Sequence, residues 1–209
     1  MIYLVRHGEV ANPQRLRYGR LPGFVLSESG RQQALAAGDH LAGRGLRAPV
    51  ILHSPLERAV ETARLLAARI GTLQPSLAIE LRVEPRLVEI GSAYDGLPRR
   101  FAPSLYLRRA RDQAQRGLAE PVNAAAARVV AALVEAQQSH DGDLIAVGHQ
   151  LPLRAALATL ILGPDALRGP LPPLWLLRRR LAIDPSYACV LALAPDDAGR
   201  WRLAHHWRP

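Results

Sequence analysis

Residues 1–12 read MIYLVRHGEVAN, a short apolar run from Ile2 to Val5 that stops abruptly at Arg6-His7-Gly8-Glu9. Far along the chain a second apolar run, Leu144 to Val147, stops in the same way at Gly148-His149-Gln150. Each reads as a buried strand that delivers a histidine at its carboxyl end. In open α/β sheets that edge is where ligands bind. Two imidazoles on neighbouring strands, one with a guanidinium beside it, suit phosphoryl chemistry. A ring nitrogen can attack phosphorus while guanidinium donors hold the phosphate oxygens.

The intervening pattern alternates helices and strands. Ser29 and Gln32 form a capping-box pattern ahead of a helix to Leu41, which Gly43 and Gly45 punctuate. Val50 to His53 is the next strand. Ser54-Pro55-Leu56-Glu57 then reads as a helix start, with Ser at N-cap, Pro at N1 and Glu at N3. This helix should run to Ile70, with Arg58 in its first turn near the strand edge. Val83 to Val88 is a weaker extended segment, broken by Pro85, that leads to Glu89. Pro98 to Gly117 is rich in arginine, with a helix expected near Ser104 to Arg116; residues 92–120 are the candidate lid or insertion. Val122 to Gln138 is an amphipathic helix with Val122, Ala126, Val129, Val130 and Leu133 on one face. Asp141-Gly142 turns into the strand Asp143 to Val147, followed by a helix near Pro152 to Ile161. Gly163 to Pro173 reads as a loop, and Tyr187 to Ala194 with Trp201 to His206 as a terminal hairpin around Asp196 to Gly199. The alternation predicts a layered α/β domain with a mostly parallel sheet, residues 1–209 forming one domain.

Of the 209 residues 49% are hydrophobic, enough for a sizeable core filled by Leu, Ala and Val. No apolar stretch is long enough to span a membrane, and the opening segment is too short for a signal peptide. The single cysteine, Cys189, allows no intramolecular disulfide and fits a reducing cytoplasm. The net charge is +9, carried entirely by arginine on the basic side. The arginines are spread along the chain with only a small cluster at Arg178-Arg179-Arg180, and no nucleic-acid module accompanies them. A positive field that draws anionic substrates is compatible with this balance. The histidines lack metal-ligand spacing and there is no Walker loop, so neither metal nor nucleotide cofactor is expected.

Together these segments resemble the histidine phosphatase superfamily, also called phosphoglycerate mutase-like. The matching blocks are Leu4-Val5-Arg6-His7-Gly8-Glu9, Leu26-Ser27-x-x-Gly30-x-x-Gln33-Ala34, Ser54-Pro55-Leu56-x-Arg58-Ala59-x-x-Thr62-Ala63, Glu89, and Val147-Gly148-His149. They occur in family order from Ile2 to about Leu157. The resemblance implies a three-layer α/β/α sandwich and a phosphohistidine mechanism. His7 would attack phosphorus; Arg6, Arg58 and His149 would surround the phosphoryl group. Glu89 would protonate the departing alkoxide and then deprotonate the hydrolytic water. Asn12, Gly19 and Gln150 join Arg6, Arg58 and His149 as implied phosphate contacts. Gln150 stands where the acid-phosphatase branch carries a proton-donating aspartate, which favours the mutase-like branch and its separate glutamate.

The sequence departs from the family pattern in several places. Asn12 falls five residues after His7 rather than six. His53 replaces a Ser or Thr, and reads as a strand-end histidine satisfied by backbone. Ser92-Ala93-Tyr94-Asp95-Gly96 replaces the common Gly-x-Trp-Glu-Gly. Glu84 is an alternative to Glu89. Arg99-Arg100 reads either as a contact for a substrate carboxylate or second phosphate, or as solvated surface. His140, His205 and His206 read as turn or tail residues without a role, His40 as a helix-face residue, and Trp175, Trp201 and Trp207 as packing. Specificity is expected from Tyr18 to Phe24, Tyr94 to Arg111 and Gly163 to Trp175. The favoured expectation is a cytoplasmic, metal-independent phosphomonoesterase acting on small phosphorylated metabolites, as a monomer or homodimer without nucleic-acid or membrane partners. A cofactor-dependent phosphoglycerate mutase and a non-catalytic binder of phosphorylated ligands are the alternatives.

Overall fold

The computed structural model describes residues 1–99, 104–105, 108, 120–167 and 186–209. Six strands form one sheet: β1 (Ile2–Arg6), β2 (Val50–His53), β3 (Glu80–Val83), β4 (Leu144–Gly148), β5 (Val190–Pro195) and β6 (Trp201–Trp207). Their order is β3-β2-β4-β1-β5-β6. The first four are mutually parallel, while β5 and β6 form an antiparallel hairpin on the β1 side. The mostly parallel sheet expected from the alternation is the one observed.

β1 as far as Val5 and all of β4 are apolar and buried, as strands with helices on both faces of the sheet require. Tyr3, Val5, Ile145 and Val147 pack on one side against α1 (Glu28–Ala42) and α2 (Glu57–Leu73). Ile2, Leu4, Leu144 and Ala146 face the other way, onto α3 (Val122–Gln138) and α4 (Gln150–Leu162). The result is the expected three-layer α/β/α sandwich.

Local differences have local causes. The α1 cap is Ser27 rather than Ser29: its hydroxyl accepts from the Gly30 N–H at 3.0 Å, while its own N–H is held by the Glu9 carbonyl at 2.9 Å. α2 begins at Glu57 with Leu56, not Ser54, at its cap position; the Ser54 hydroxyl accepts from the Leu56 N–H at 3.3 Å and also meets His149 on the neighbouring strand. The helix continues past Ile70 to Leu73. The third strand is Glu80–Val83, earlier than Val83 to Val88. Pro85 has no N–H to extend it, and Glu84 instead caps a 3₁₀ turn, Pro85–Leu87. β5 starts at Val190, since Ala188 takes a left-handed backbone with φ 51°. The expected helix near Ser104 to Arg116, the lid at 92–120 and the loop from Gly163 to Pro173 lie largely outside the described residues. Within that loop Pro164–Leu167 is a 3₁₀ turn.

Candidate active site

Sheet register assembles the site. Arg6 pairs with Gly148 and His53 with Val147, so His7, His149 and Ser54 leave three adjacent strands at the same edge. The turn after β1 is pressed against the start of α1. A Cβ on Gly8 would overlap the Gly30 carbonyl, and one on Gly30 would overlap the carbonyl of Glu9. Thr62 on α2 accepts from the Gly8 N–H at 3.1 Å, and Gln33 on α1 accepts from Glu9 N–H at 2.9 Å. Both helices therefore clamp the two residues that follow His7.

The two imidazoles are buried with ring centroids 5.2 Å apart. His7 Nδ1 lies 2.7 Å from the Gly8 carbonyl oxygen. A carbonyl only accepts, so Nδ1 carries the proton and Nε2 presents a lone pair. Burial, with Arg58 and Arg6 beside it, holds the ring well below the ordinary imidazole range, and it is neutral. His149 is likewise held well below that range, by burial first and then by His7, Arg58 and Arg6. Its Nε2 is 2.8 Å from Ser54 Oγ, and that oxygen already accepts from the Leu56 N–H at 3.3 Å. Nε2 is the one acceptor that the serine hydrogen meets among the described residues, and with the serine donating there the His149 proton sits on Nδ1. That atom is buried without a protein partner among the described residues.

Arg58 is fully buried on the first turn of α2. One Nη2 hydrogen reaches the Gly19 carbonyl at 2.6 Å, but Nε and Nη1 meet no protein acceptor. Burying donors without acceptors costs about 1–3 kcal/mol each, and more for charged groups. His149 Nδ1 and Arg58 Nε and Nη1 thus form a set of buried donors suited to an anion. The Arg6 guanidinium lies 3.9 Å from the centre of the Tyr187 ring, and that of Arg58 4.8 Å from the centre of Tyr18. Burial and the neighbouring Tyr187 push the Tyr18 phenol up to about 12.

Glu89 follows the 3₁₀ turn and lines a cleft of about 550 Å³ with Gly19, Tyr94, Asp95 and Gln150. Burial raises its carboxyl to about 7, against the opposing pull of the Ile90 N–H, Arg58, Arg6 and Arg128. Behind it, Arg20 donates to the Glu89 carbonyl at 2.6 Å and pairs with Glu120 at 2.8 Å; Glu120 also pairs with Arg128 at 2.5 Å. Glu84 is differently placed. It caps the 3₁₀ turn and pairs with Arg86 at 2.8 Å, and hydrogen bonds from Arg86 hold its carboxyl below the usual range. Of the two carboxyls, Glu89 alone holds its proton up to near neutral pH, as a proton donor there must.

The other expected residues are distributed around this centre. Gln150 opens α4 beside the Glu89 cleft. Gly19 takes φ 34° and offers its carbonyl to Arg58. Asn12 spends both ends of its amide on the backbone of Leu16, at 2.9 Å each, and lines a second, outer pocket of about 560 Å³ with Arg15, Tyr18, Arg99 and Tyr187. The His53 ring meets the Ser54 carbonyl at 3.0 Å, as a strand-end histidine satisfied by backbone does. Arg100 lies outside the described residues. Ser54, Arg20, Glu120, Arg128 and Tyr187 carry no motif signal pointing to the site; only Ser54 sits in a recognised block, where it reads as a helix cap. Among the described residues no cluster of three or more His, Cys, Asp or Glu side chains could hold a metal ion, and no helix is long and apolar enough to cross a membrane.

Comparison with known proteins agrees with this geometry. The family model of the histidine phosphatase superfamily (branch 1) matches residues 2–171. The uncharacterised protein Rv0525 of Mycobacterium tuberculosis is 39% identical over 160 residues, covering 73% of this chain and 74% of the relative. The fructose-2,6-bisphosphatase TIGAR B of Danio rerio is 37% identical over 89 residues, 42% of this chain and 33% of that protein. Among solved structures, the mycobacterial glucosyl-3-phosphoglycerate phosphatase Rv2419c in complex with VO3 is 27% identical with a TM-score of 0.70, covering 99% of this chain and 98% of that one.

Proposed function

We propose that this chain, which belongs to the histidine phosphatase superfamily (branch 1), is a metal-independent phosphomonoesterase that works through a phosphohistidine on His7. The observation that carries the reading is the set of buried donors without protein acceptors, His149 Nδ1 with Arg58 Nε and Nη1, beside a neutral His7 whose Nε2 presents a lone pair. A phosphoryl group satisfies those donors, and its developing charge is stabilised by groups already in place.

In the first step the Nε2 lone pair attacks phosphorus and the P–O bond to the leaving group breaks. Protonated Glu89 gives its proton to the departing alkoxide, a transfer suited to a carboxyl near 7. In the second, water attacks the phosphohistidine, Glu89 takes back a proton and the P–N bond breaks, which restores neutral His7. Arg6 and Arg58 hold the equatorial oxygens throughout. Small phosphorylated metabolites are the proposed substrates. Solved relatives in this fold include a phosphatase complexed with VO3, which supports an oxyanion site. The cytoplasm is the proposed compartment, with a fully buried lone Cys189 in support.

A phosphate-release screen over a broad panel of phosphomonoesters in excess EDTA, with His7→Ala as control, tests the proposal. Release that needs a divalent metal, or that survives loss of His7, would overturn it. Including 3-phosphoglycerate with and without its bisphosphate separates a mutase, which isomerises, from a phosphatase, which releases phosphate.

A further inference from the structure

Tyr187 stands just ahead of β5, in a turn where the left-handed Ala188 directs its N–H to the His7 carbonyl at 3.3 Å. That turn folds the phenol back over the N-terminal motif. The Arg6 guanidinium carbon lies 3.9 Å from the centre of its ring, and the His7 ring is 5.8 Å away at 48°. The Tyr187 oxygen is paired with the hydroxyl of Tyr18 and with the Arg99 side chain. Tyr18 in turn carries Arg58 over its own face and lies 6.4 Å from His7. Each of the two arginines of the phosphoryl site therefore rests on one of two linked phenols.

Bidentate phosphate binding requires a guanidinium held in one plane, yet arginine has a long and flexible stem. An aromatic face attracts the cation and restricts its orientation. Tyr187 also lines the outer pocket beside Arg15, Arg99 and Asn12, so one side chain touches both that pocket and the phosphoryl site. The backbone there is knitted together: Arg99 N–H donates to the Arg15 carbonyl at 2.9 Å, and Arg17 N–H to the Leu97 carbonyl at 2.7 Å.

We propose that Tyr187 is a positioning residue of the phosphoryl site: its ring fixes the plane of the Arg6 guanidinium, and its hydroxyl couples that arginine to Arg99 at the rim of the outer pocket. This inference rests on the phosphoryl-site reading above.

The test is calorimetric binding of inorganic phosphate and vanadate to the full chain, which needs no turnover, with Tyr187→Leu, Tyr187→Phe, Arg99→Ala and the Tyr187→Phe/Arg99→Ala pair. Leucine removes the ring and should weaken both oxyanions about tenfold, whereas phenylalanine should restore binding to within about threefold. The pair should be non-additive, with Arg99→Ala costing less once the hydroxyl is gone. Wild-type affinity in the leucine variant, or equal loss in leucine and phenylalanine, overturns the ring's role. Additivity of the pair overturns the hydroxyl's, and this arm stands even where the leucine variant does not fold. A wild-type chain that binds neither oxyanion overturns the phosphoryl-site reading itself, and this inference with it.

Discussion

Ser54 and His149 lie 95 positions apart in sequence, yet the serine oxygen sits 2.8 Å from the histidine Nε2. Strand register alone brings them together, since β2 and β4 are neighbours and both residues leave at the same edge. The hydroxyl fixes which nitrogen of His149 faces the phosphoryl position with a proton. Ser54→Ala should therefore lower kcat by about five- to tenfold with little change in KM, the worth of one orienting hydrogen bond. It should cost about 1 kcal/mol of stability, because the Leu56 N–H loses its acceptor. Steady-state kinetics and thermal melts on the same preparation read both effects.

Glu89 gives a pH signature with a definite sign. As a proton donor it is active below its value of about 7, so turnover of alkyl phosphates should fall as pH rises through that point. Glu89→Gln should remove this limb and slow alkyl esters by about 10²–10⁴-fold. Nitrophenyl phosphate, whose leaving group needs little protonation, should suffer much less. Stability falls with rising pH as well. Folding raises this carboxyl, so the unfolded chain ionises first and the fold loses stability from about pH 4.5 to above 7. At pH 8 the glutamine variant should be more stable by about 2–3 kcal/mol, and at pH 4 equal to wild type. A pH-independent difference in denaturant midpoint would rule this out.

How far these features could be read from the sequence depended on whether their cause was local. His7 and His149 are legible because an apolar strand that ends abruptly in chemistry-bearing residues is a contiguous pattern. The α3 boundaries came out as expected for the same reason, its apolar stripe running unbroken from Val122 to Gln138. Ser54 misled because its proline and glutamate neighbours spell a helix cap, while the second partner of its hydroxyl, His149, comes from another strand. Ser27 and Ser29 are both competent caps, and what decides between them is the Glu9 carbonyl across the site. The acidity of Glu89 was equally hidden. It arises from burial, which outweighs the opposing pull of the Ile90 N–H, Arg58, Arg6 and Arg128, and burial is set by how separate segments pack.

Arg58 is a buried cation with two donor nitrogens that meet no protein acceptor among the described residues. Arg58→Met should leave the phosphate-free protein within about 1 kcal/mol of wild type, since the loss of the Gly19 contact is offset by removal of two donors without acceptors. Phosphate binding should weaken by at least about a hundredfold, and the rise in Tm that phosphate gives the wild type should disappear. Arg58→Lys should not restore it, because an ammonium offers no planar fork. Thermal melts with and without phosphate on the wild type and both variants measure these effects. A methionine variant that keeps its phosphate-dependent rise would show that the orphaned donors are not the anion site.

Gly30 fits the site from a distance, on a helix that contributes no reacting group. A methyl group there would overlap both the carbonyl and the N–H of Glu9, which are already held by Ser27 and Gln33. The conflict is between two backbones, so no side-chain rotation relieves it. Gly30→Ala should destabilise the chain by about 2–3 kcal/mol. It should also displace the Gly8 carbonyl that sets the His7 tautomer, lowering kcat at least about tenfold even far below the melting temperature. Gly43→Ala is the matched control at the other end of α1: its backbone is helical with φ −69° and its nearest neighbour would be 3.6 Å from the new methyl. That variant should stay within about 0.5 kcal/mol of wild type and keep full activity. Equal behaviour of the two alanine variants would mean that the Gly30 approach does not hold the nucleophile in place.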